Sequence, residues 1–104
     1  MQSPASTFAA HAARGELAYQ VDARGRPLWP PSVRGVDWRI SSGLGTVYAT
    51  TTIRGGDEEP YDLSLIDLDE GFRILSTVRG GVAPIGTRVV LAWEDQTPVF
   101  EVEQ

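Results

Sequence analysis

Leu44-Gly45-Thr46-Val47-Tyr48-Ala49-Thr50-Thr51-Thr52-Ile53-Arg54 is the longest stretch of the chain with continuous strand character, and its reading decides the fold. β-Branched and aromatic residues dominate it, and such side chains fit a pleated, half-buried surface. Alternation puts Val47, Ala49 and Ile53 on one face and Tyr48, Thr50 and Thr52 on the other. Gly45, without a Cβ, suits a bulge or a sharp bend near the start. The stretch predicts a long strand, bent early.

Downstream, the glycine-rich acidic loop Gly55 to Pro60 leads to a third strand, where Tyr61, Leu63 and Leu65 alternate with Asp62 and Ser64. A period of two is that of a half-buried strand. Asp69-Glu70-Gly71 joins it tightly to Phe72–Val78, whose Phe72, Ile74 and Val78 share one side, so the two strands form a hairpin. Gly80-Gly81 breaks the pattern and Pro84-Ile85-Gly86 turns the chain. Arg88 to Glu94 follows as a strand with Val89, Leu91 and Trp93 on one face, and Val99 to Val102 is its hairpin partner. Upstream, Val36 to Ser41 is a strand joined to the long one by Ser42-Gly43. Five or six short antiparallel strands, one of them long and bent, predict a small closed or nearly closed barrel of OB type. A β-sandwich is the competing architecture, but its seven strands usually take about a hundred residues.

Before residue 36 the pattern differs. Ser3-Pro4 can open a helix and Gly15 can stop it, with Phe8 and Ala12 forming a narrow apolar stripe. Leu17–Val21 and Arg26–Pro31 then read as a hairpin around Asp22-Ala23-Arg24-Gly25, a type I turn in composition. Neither a short helix nor a two-stranded hairpin is stable alone. The chain therefore divides into a helix and hairpin, residues 1–35, that need outside support, and an OB barrel, residues 36–104.

Cysteine is absent, which excludes disulfides, thiol redox chemistry and thiolate metal sites. The net charge of -5 disfavours binding to phosphate backbones. All nine basic residues are arginine. Arg14, Arg24, Arg26, Arg34 and Arg39 make the early part locally basic, whereas Asp57, Glu58, Glu59, Asp62, Asp67, Asp69 and Glu70 make one end acidic. With no apolar run near the ~20 residues that cross a bilayer and no signal-like N-terminus, the expected location is the cytoplasm and no membrane contact is expected.

Three short markers now fall in order: Gly45-Thr46-Val47-Tyr48 in the long strand, Leu65-Ile66-Asp67-Leu68-Asp69-Glu70-Gly71 at the hairpin, and Ile85-Gly86-Thr87-Arg88-Val89 before the late strand. With them the chain resembles the acyl-CoA-associated OB-fold proteins (domain of unknown function thirty-five), subunits built from a zinc ribbon and an OB fold. In that family a Cys-x-x-Cys-Gly knuckle precedes a basic residue, an aromatic and paired prolines. Here the same frame reads Val21-Asp22-Ala23-Arg24-Gly25 and Arg26-Pro27-Leu28-Trp29-Pro30-Pro31, with Val21 and Arg24 in ligand positions. The second knuckle is collapsed into Ser32-Val33-Arg34-Gly35. The resemblance implies a degenerate, metal-free ribbon on an OB barrel, acting as an accessory subunit of a thiolase-like or other acyl-CoA-processing enzyme. No resident cofactor is expected, and the resemblance leaves acyl-CoA open as a ligand.

The candidate sites follow. Arg24, Arg26, Arg34 and Arg39 could hold the phosphates of CoA, since guanidinium matches phosphate geometry, although a solvated basic rim is the simpler reading. Phe8 and Trp29 are the candidate partner contacts, because aromatics on an unsupported segment must cover the barrel or meet another chain. His11, the sole histidine, has no nucleophile or orienting group in evident register with it. The series Asp57-Glu58-Glu59 with Asp62 lacks EF-hand spacing, and Asp67, Asp69 and Glu70 sit where acids commonly end strands. No catalytic constellation emerges, and an independent hydrolase ranks last. The alternative function is a free-standing OB module binding single-stranded nucleic acid, with Tyr48 and Tyr61 as stacking residues. Self-association is left open.

Overall fold

The computed structural model describes residues 3–54, 56, 57, 59, 61–80 and 83–103. Helix α1 (Pro4–Ala12) starts where expected: Ser3 caps it, its hydroxyl accepting a 3.1 Å hydrogen bond from the Ser6 amide. Strands β1 (Ala18–Val21) and β2 (Pro27–Leu28) form the expected hairpin, paired Gln20 to Leu28 and Val21 to Pro27. Its turn is closed by the Gly25 amide donating to the Asp22 carbonyl at 2.9 Å, and Gly25 takes φ 78.

Strand β3 (Asp37–Ile40) departs from the sequence reading, which counted it among the barrel strands. It pairs antiparallel with β1, giving a three-stranded sheet in the order β2-β1-β3. Two strands could not bury β1 on both edges, and the link over residues 29–36 brings β3 back beside it, the Val36 amide donating to the Val21 carbonyl at 3.0 Å.

The larger sheet contains β4 (Leu44–Ile53), β5 (Tyr61–Leu68), β6 (Arg73–Ser76), β7 (Val78–Arg79), β8 (Arg88–Glu94) and β9 (Thr97–Val102), in the order β6-β5-β4-β8-β9-β7. Its pairings are antiparallel except for β7 with β9, which is parallel. The two outermost strands, β6 and β7, are consecutive in the chain and separated by Thr77 alone. No ladder joins β6 to β7, so the sheet is not closed into a barrel; its two edges are linked by the chain at Thr77. Two hydrogen bonds hold this corner, from the Phe100 amide to the Thr77 carbonyl at 3.0 Å and from the Ser76 hydroxyl to the Pro98 carbonyl at 2.8 Å. The mainly β, OB-type reading holds in this form.

Two details of the long strand differ from expectation. The register shift falls between Val47 and Ala49, so the bulged residue is Tyr48 and not Gly45. Gly45 is needed for close approach: a Cβ there would lie 2.7 Å from the Asp67 carbonyl oxygen and 2.9 Å from Ile66 Cγ2. Because the bulge adds one residue, Val47 points inward and Ala49 outward, although simple alternation puts them on one face. The same geometry reverses β5. Ser64, Ile66 and Leu68 are buried, not the expected Tyr61, Leu63 and Leu65.

One hydrophobic core serves the whole molecule. Val47, Ile66, Val89 and Phe100 from the large sheet are essentially sealed from solvent, and Leu17, Tyr19 and Val21 belong to the same cluster. Every residue of β1 is buried, including Gln20. The glycine-rich loop and the Gly80-Gly81 break fall partly on residues 55, 58, 60, 81 and 82, outside the described residues.

Candidate functional site

The junction between the N-terminal unit and the barrel is built from aromatic rings. Phe72, at the start of the β6 segment, stacks on Tyr19 at 4.7 Å between ring centroids and on Trp29 at 5.4 Å, and Phe8 meets Trp29 edge-on at 5.6 Å. Offset and edge-to-face pairs of this kind add to the gain from burial alone. Phe8 and Trp29, the candidate partner contacts, are therefore partly buried and packed against the core. Trp29 keeps an exposed side, which lines a cleft of about 600 Å³ together with Pro27, Phe72, Gly71, Asp67 and Arg73.

A zinc ligand set does not fit here. Val21, in one ligand position, is only 2% exposed within the core, and Arg24, in the other, is an exposed turn residue. Among the described residues no group of three His, Cys, Asp or Glu side chains converges as metal ligands would. A side-chain amide joins the two knuckle positions instead. Gln20 Nε2 donates to the Ser32 carbonyl at 2.9 Å, and the Ser32 amide donates to Gln20 Oε1 at 2.8 Å. Gln20 thus satisfies its own buried amide and the backbone of the 32–35 loop at once. Gly35 makes room for it, since a Cβ there would collide with Gln20 Cδ. The sequence signal was a lone amide between Tyr19 and Val21 on an otherwise apolar strand, but its partner lies in a loop that periodicity does not place.

The arginines divide by partner, and Arg14 bonds to Glu16 at 3.2 Å. Arg73 bonds to Asp67, Arg79 to Glu101 at 3.3 Å, and Arg88 to both oxygens of Asp69 at 2.7 and 2.8 Å. By contrast, the guanidinium groups of Arg24, Arg26, Arg34 and Arg39 have no ion pair with any described residue. The structure brings three of them to one place. Arg24 and Arg26 belong to the β1–β2 turn, and Arg39 Nη2 lies 3.9 Å from where a Cβ of Gly25 would stand. Arg34 lines a separate shallow groove with Leu28, Trp29, Pro30 and Ser32. Asp22 shares the turn; the Arg26 and Arg24 amides occupy its carboxylate and, with a smaller contribution from the Arg26 charge, hold it below the usual carboxylate range.

The remaining candidate acids are structural. Asp69 is held below the ordinary carboxylate range by its hydrogen bonds from Arg88. Burial pushes the Glu70 carboxyl up, but hydrogen bonds from the Ser41 hydroxyl at 2.6 Å and the Ser42 amide at 2.8 Å outweigh it and leave the group low. Glu70 thereby staples the barrel to the end of β3. His11 Nδ1 lies 2.9 Å from Glu16 and 3.0 Å from Arg14 Nη2, in the loop that ends the helix. Tyr48, a candidate for stacking bases, already carries the Arg73 guanidinium 3.5 Å above its ring.

Residues 38–94, more than half of the chain, match the family model described as ChsH2, C-terminal OB-fold domain. No functionally curated protein matches the sequence. Among solved structures, the chain is similar to one described as Ltp2-ChsH2(DUF35) aldolase, with a TM-score of 0.78 and 26% identity over 98% of this chain and 96% of that one. It is also similar in fold to a DUF35-family protein of unknown function from Sulfolobus solfataricus, with a TM-score of 0.72 and 15% identity over 93% of this chain and 83% of that one. The chain therefore belongs to the OB-fold family of the ChsH2 C-terminal domain, a DUF35 family.

Proposed function

We propose that this protein is a non-catalytic accessory subunit of a thiolase-like or aldolase-type acyl-CoA-processing enzyme, with a degenerate, metal-free ribbon at its N-terminus. The observation that carries this reading is the end-to-end likeness to a chain of the Ltp2-ChsH2(DUF35) aldolase, which spans both the N-terminal unit and the barrel. Supporting it, every acid of the candidate series from Asp67 to Glu70 is engaged in holding the fold, so no general acid–base pair is left at that hairpin.

The unpaired Arg24, Arg26 and Arg39 are the residues through which the subunit would meet the phosphates of a CoA thioester, with Arg34 apart from them. Guanidinium groups without carboxylate partners stay available for bidentate phosphate contacts. The proposed location is the cytoplasm; no helix among the described residues is long and apolar enough to cross a membrane. The single-stranded nucleic acid reading is weaker, because Arg73 covers the Tyr48 ring.

Affinity purification from the native cell, followed by mass spectrometry, tests the main reading. Recovery of an enzyme that acts on CoA thioesters is expected, and recovery of none would sink it. With the complex in hand, Arg24→Gln, Arg26→Gln and Arg39→Gln together should weaken CoA binding roughly tenfold or more. Unchanged CoA affinity would remove the phosphate role while leaving the subunit role intact.

A further inference from the structure

Beside the inward core row Val47–Ile66–Ile74, strands β4, β5 and β6 carry one hydroxylic row that points inward and one aliphatic row that points outward. In the hydroxylic row Thr50 pairs with Ser64 and Ser64 with Ser76, and both serines are buried. These hydroxyls satisfy one another and the backbone, Ser64 donating to Thr50 at 3.2 Å and Ser76 to the Pro98 carbonyl at 2.8 Å. The next row points outward and is aliphatic. Ala49 pairs with Leu65 and Leu65 with Leu75, while Leu63 stands beside them opposite Thr51. Leu75 is 60% exposed, and Ala49, Leu63 and Leu65 are half-buried.

An antiparallel sheet with one wet face normally alternates apolar-in and polar-out, and strands apolar on both faces are those covered on both. Leu63 and Leu65 on one face of β5, with Ile66 and Leu68 on the other, match the covered kind. The protein itself covers only the inner face. We infer that the outer face of β4–β5–β6 is the docking surface for the acyl-CoA enzyme subunit, an inference that rests on the accessory role proposed above.

Charge selects this occupant over a second copy of the chain. At one end of the patch the Asp67–Arg73 and Asp69–Arg88 pairs cancel internally. At the other, the loop joining Ile53 to Tyr61 carries exposed Asp57 and Glu59 against one exposed cation, Arg54. The rim is acidic on balance, so it fits an apolar surface bordered by lysine or arginine. A second copy would carry its own net charge of -5 and the same acidic rim to the interface. Like charges at such short range are poorly screened.

The test uses the chain and the acyl-CoA enzyme it co-purifies with. Leu75→Asp and Leu63→Asp should each weaken the complex roughly tenfold or more, and the milder Leu75→Ser should weaken it less. Leu75→Asp should leave the melting temperature of the isolated chain unchanged, because the side chain already faces solvent. Wild-type affinity in the folded Leu75→Asp and Leu63→Asp variants would overturn the surface while leaving the accessory role standing. Sedimentation showing that the isolated chain dimerises, and that Leu75→Asp abolishes the dimer, would overturn the choice of occupant. Failure of the wild-type chain to retain any acyl-CoA enzyme would instead remove the functional reading, and the docking surface with it.

Discussion

The barrel and the N-terminal unit of this protein hold together by different means. In the barrel, long ladders carry the backbone, aliphatic side chains fill the interior, and Arg73, Arg79 and Arg88 are each tied to a carboxylate. The N-terminal unit has short ladders and no separate core. It relies on ring stacking against Phe72, on the amide bracket between Gln20 and Ser32, and on the Glu70 staple, and its turn arginines remain unpaired. A small helix-and-sheet unit can thus hold its frame if a neighbouring domain supplies the apolar surface and a single side chain supplies the cross-brace.

The strongest way to break that contrast is Phe72→Ala. It removes the ring on which both Tyr19 and Trp29 rest and should cost about 3–5 kcal/mol. Urea unfolding should then show the N-terminal unit melting before the barrel, and a single transition with little loss would mean that the stack is not what seats it. Gln20→Ala comes next, at about 1–3 kcal/mol, because it leaves the Ser32 amide without its partner and the Ser32 carbonyl with only the long 3.4 Å bond from the Gly35 amide. Hydrogen exchange should quicken at Ser32 and the 32–35 loop while the β4 and β5 amides stay protected. Equal loosening of the barrel would make the bracket part of the global core.

Glu70→Gln should cost roughly 1 kcal/mol by weakening the bonds to Ser41 and Ser42, and it should be felt at the end of β3 before anywhere in the barrel. Acid acts on both regions. Glu16, lowered chiefly by its hydrogen bond with His11, Asp22, Asp69 and Glu70 all sit below their ordinary values. The native state therefore binds their protons less readily than the unfolded chain does. Their contribution is complete above the ordinary carboxylate range, near about 4, and is lost as pH falls through the lower native values. The melting temperature should be level at neutral and mildly acidic pH and decline only below that range. A decline already near neutral pH would point to another group. The smallest expected effect is none: a strong chelator should leave the melting curve unchanged, and a downward shift would reveal a bound metal.

Local signals were readable where the partner of a residue is close in sequence. The Ser3 cap, the Gly25 turn, the hairpin into Phe72 and the inward faces of Phe72, Ile74 and Val89 follow from spacing and residue type. Readings failed where one distant contact changed a phase. The Tyr48 bulge shifts Ala49 to the outer face, and the pairing it sets buries Ser64 instead of Leu63. The β5 pattern, apolar on both faces, is equally consistent with either orientation, so alternation could not choose.

By itself the sequence determined that the protein would be mainly β, that its N-terminal segment would need support from elsewhere, and that no thiolate could bind metal, because these depend on local propensity and on which atoms exist. Only the tertiary structure decided that β3 joins β1, that Gln20 brackets the backbone of Ser32, which arginines stay free, and that Leu65 and Leu75 face outward while Ser64 and Ser76 face inward. Those outcomes depend on register and on contacts between residues far apart in the chain, where a shift of one position exchanges the two faces of a strand.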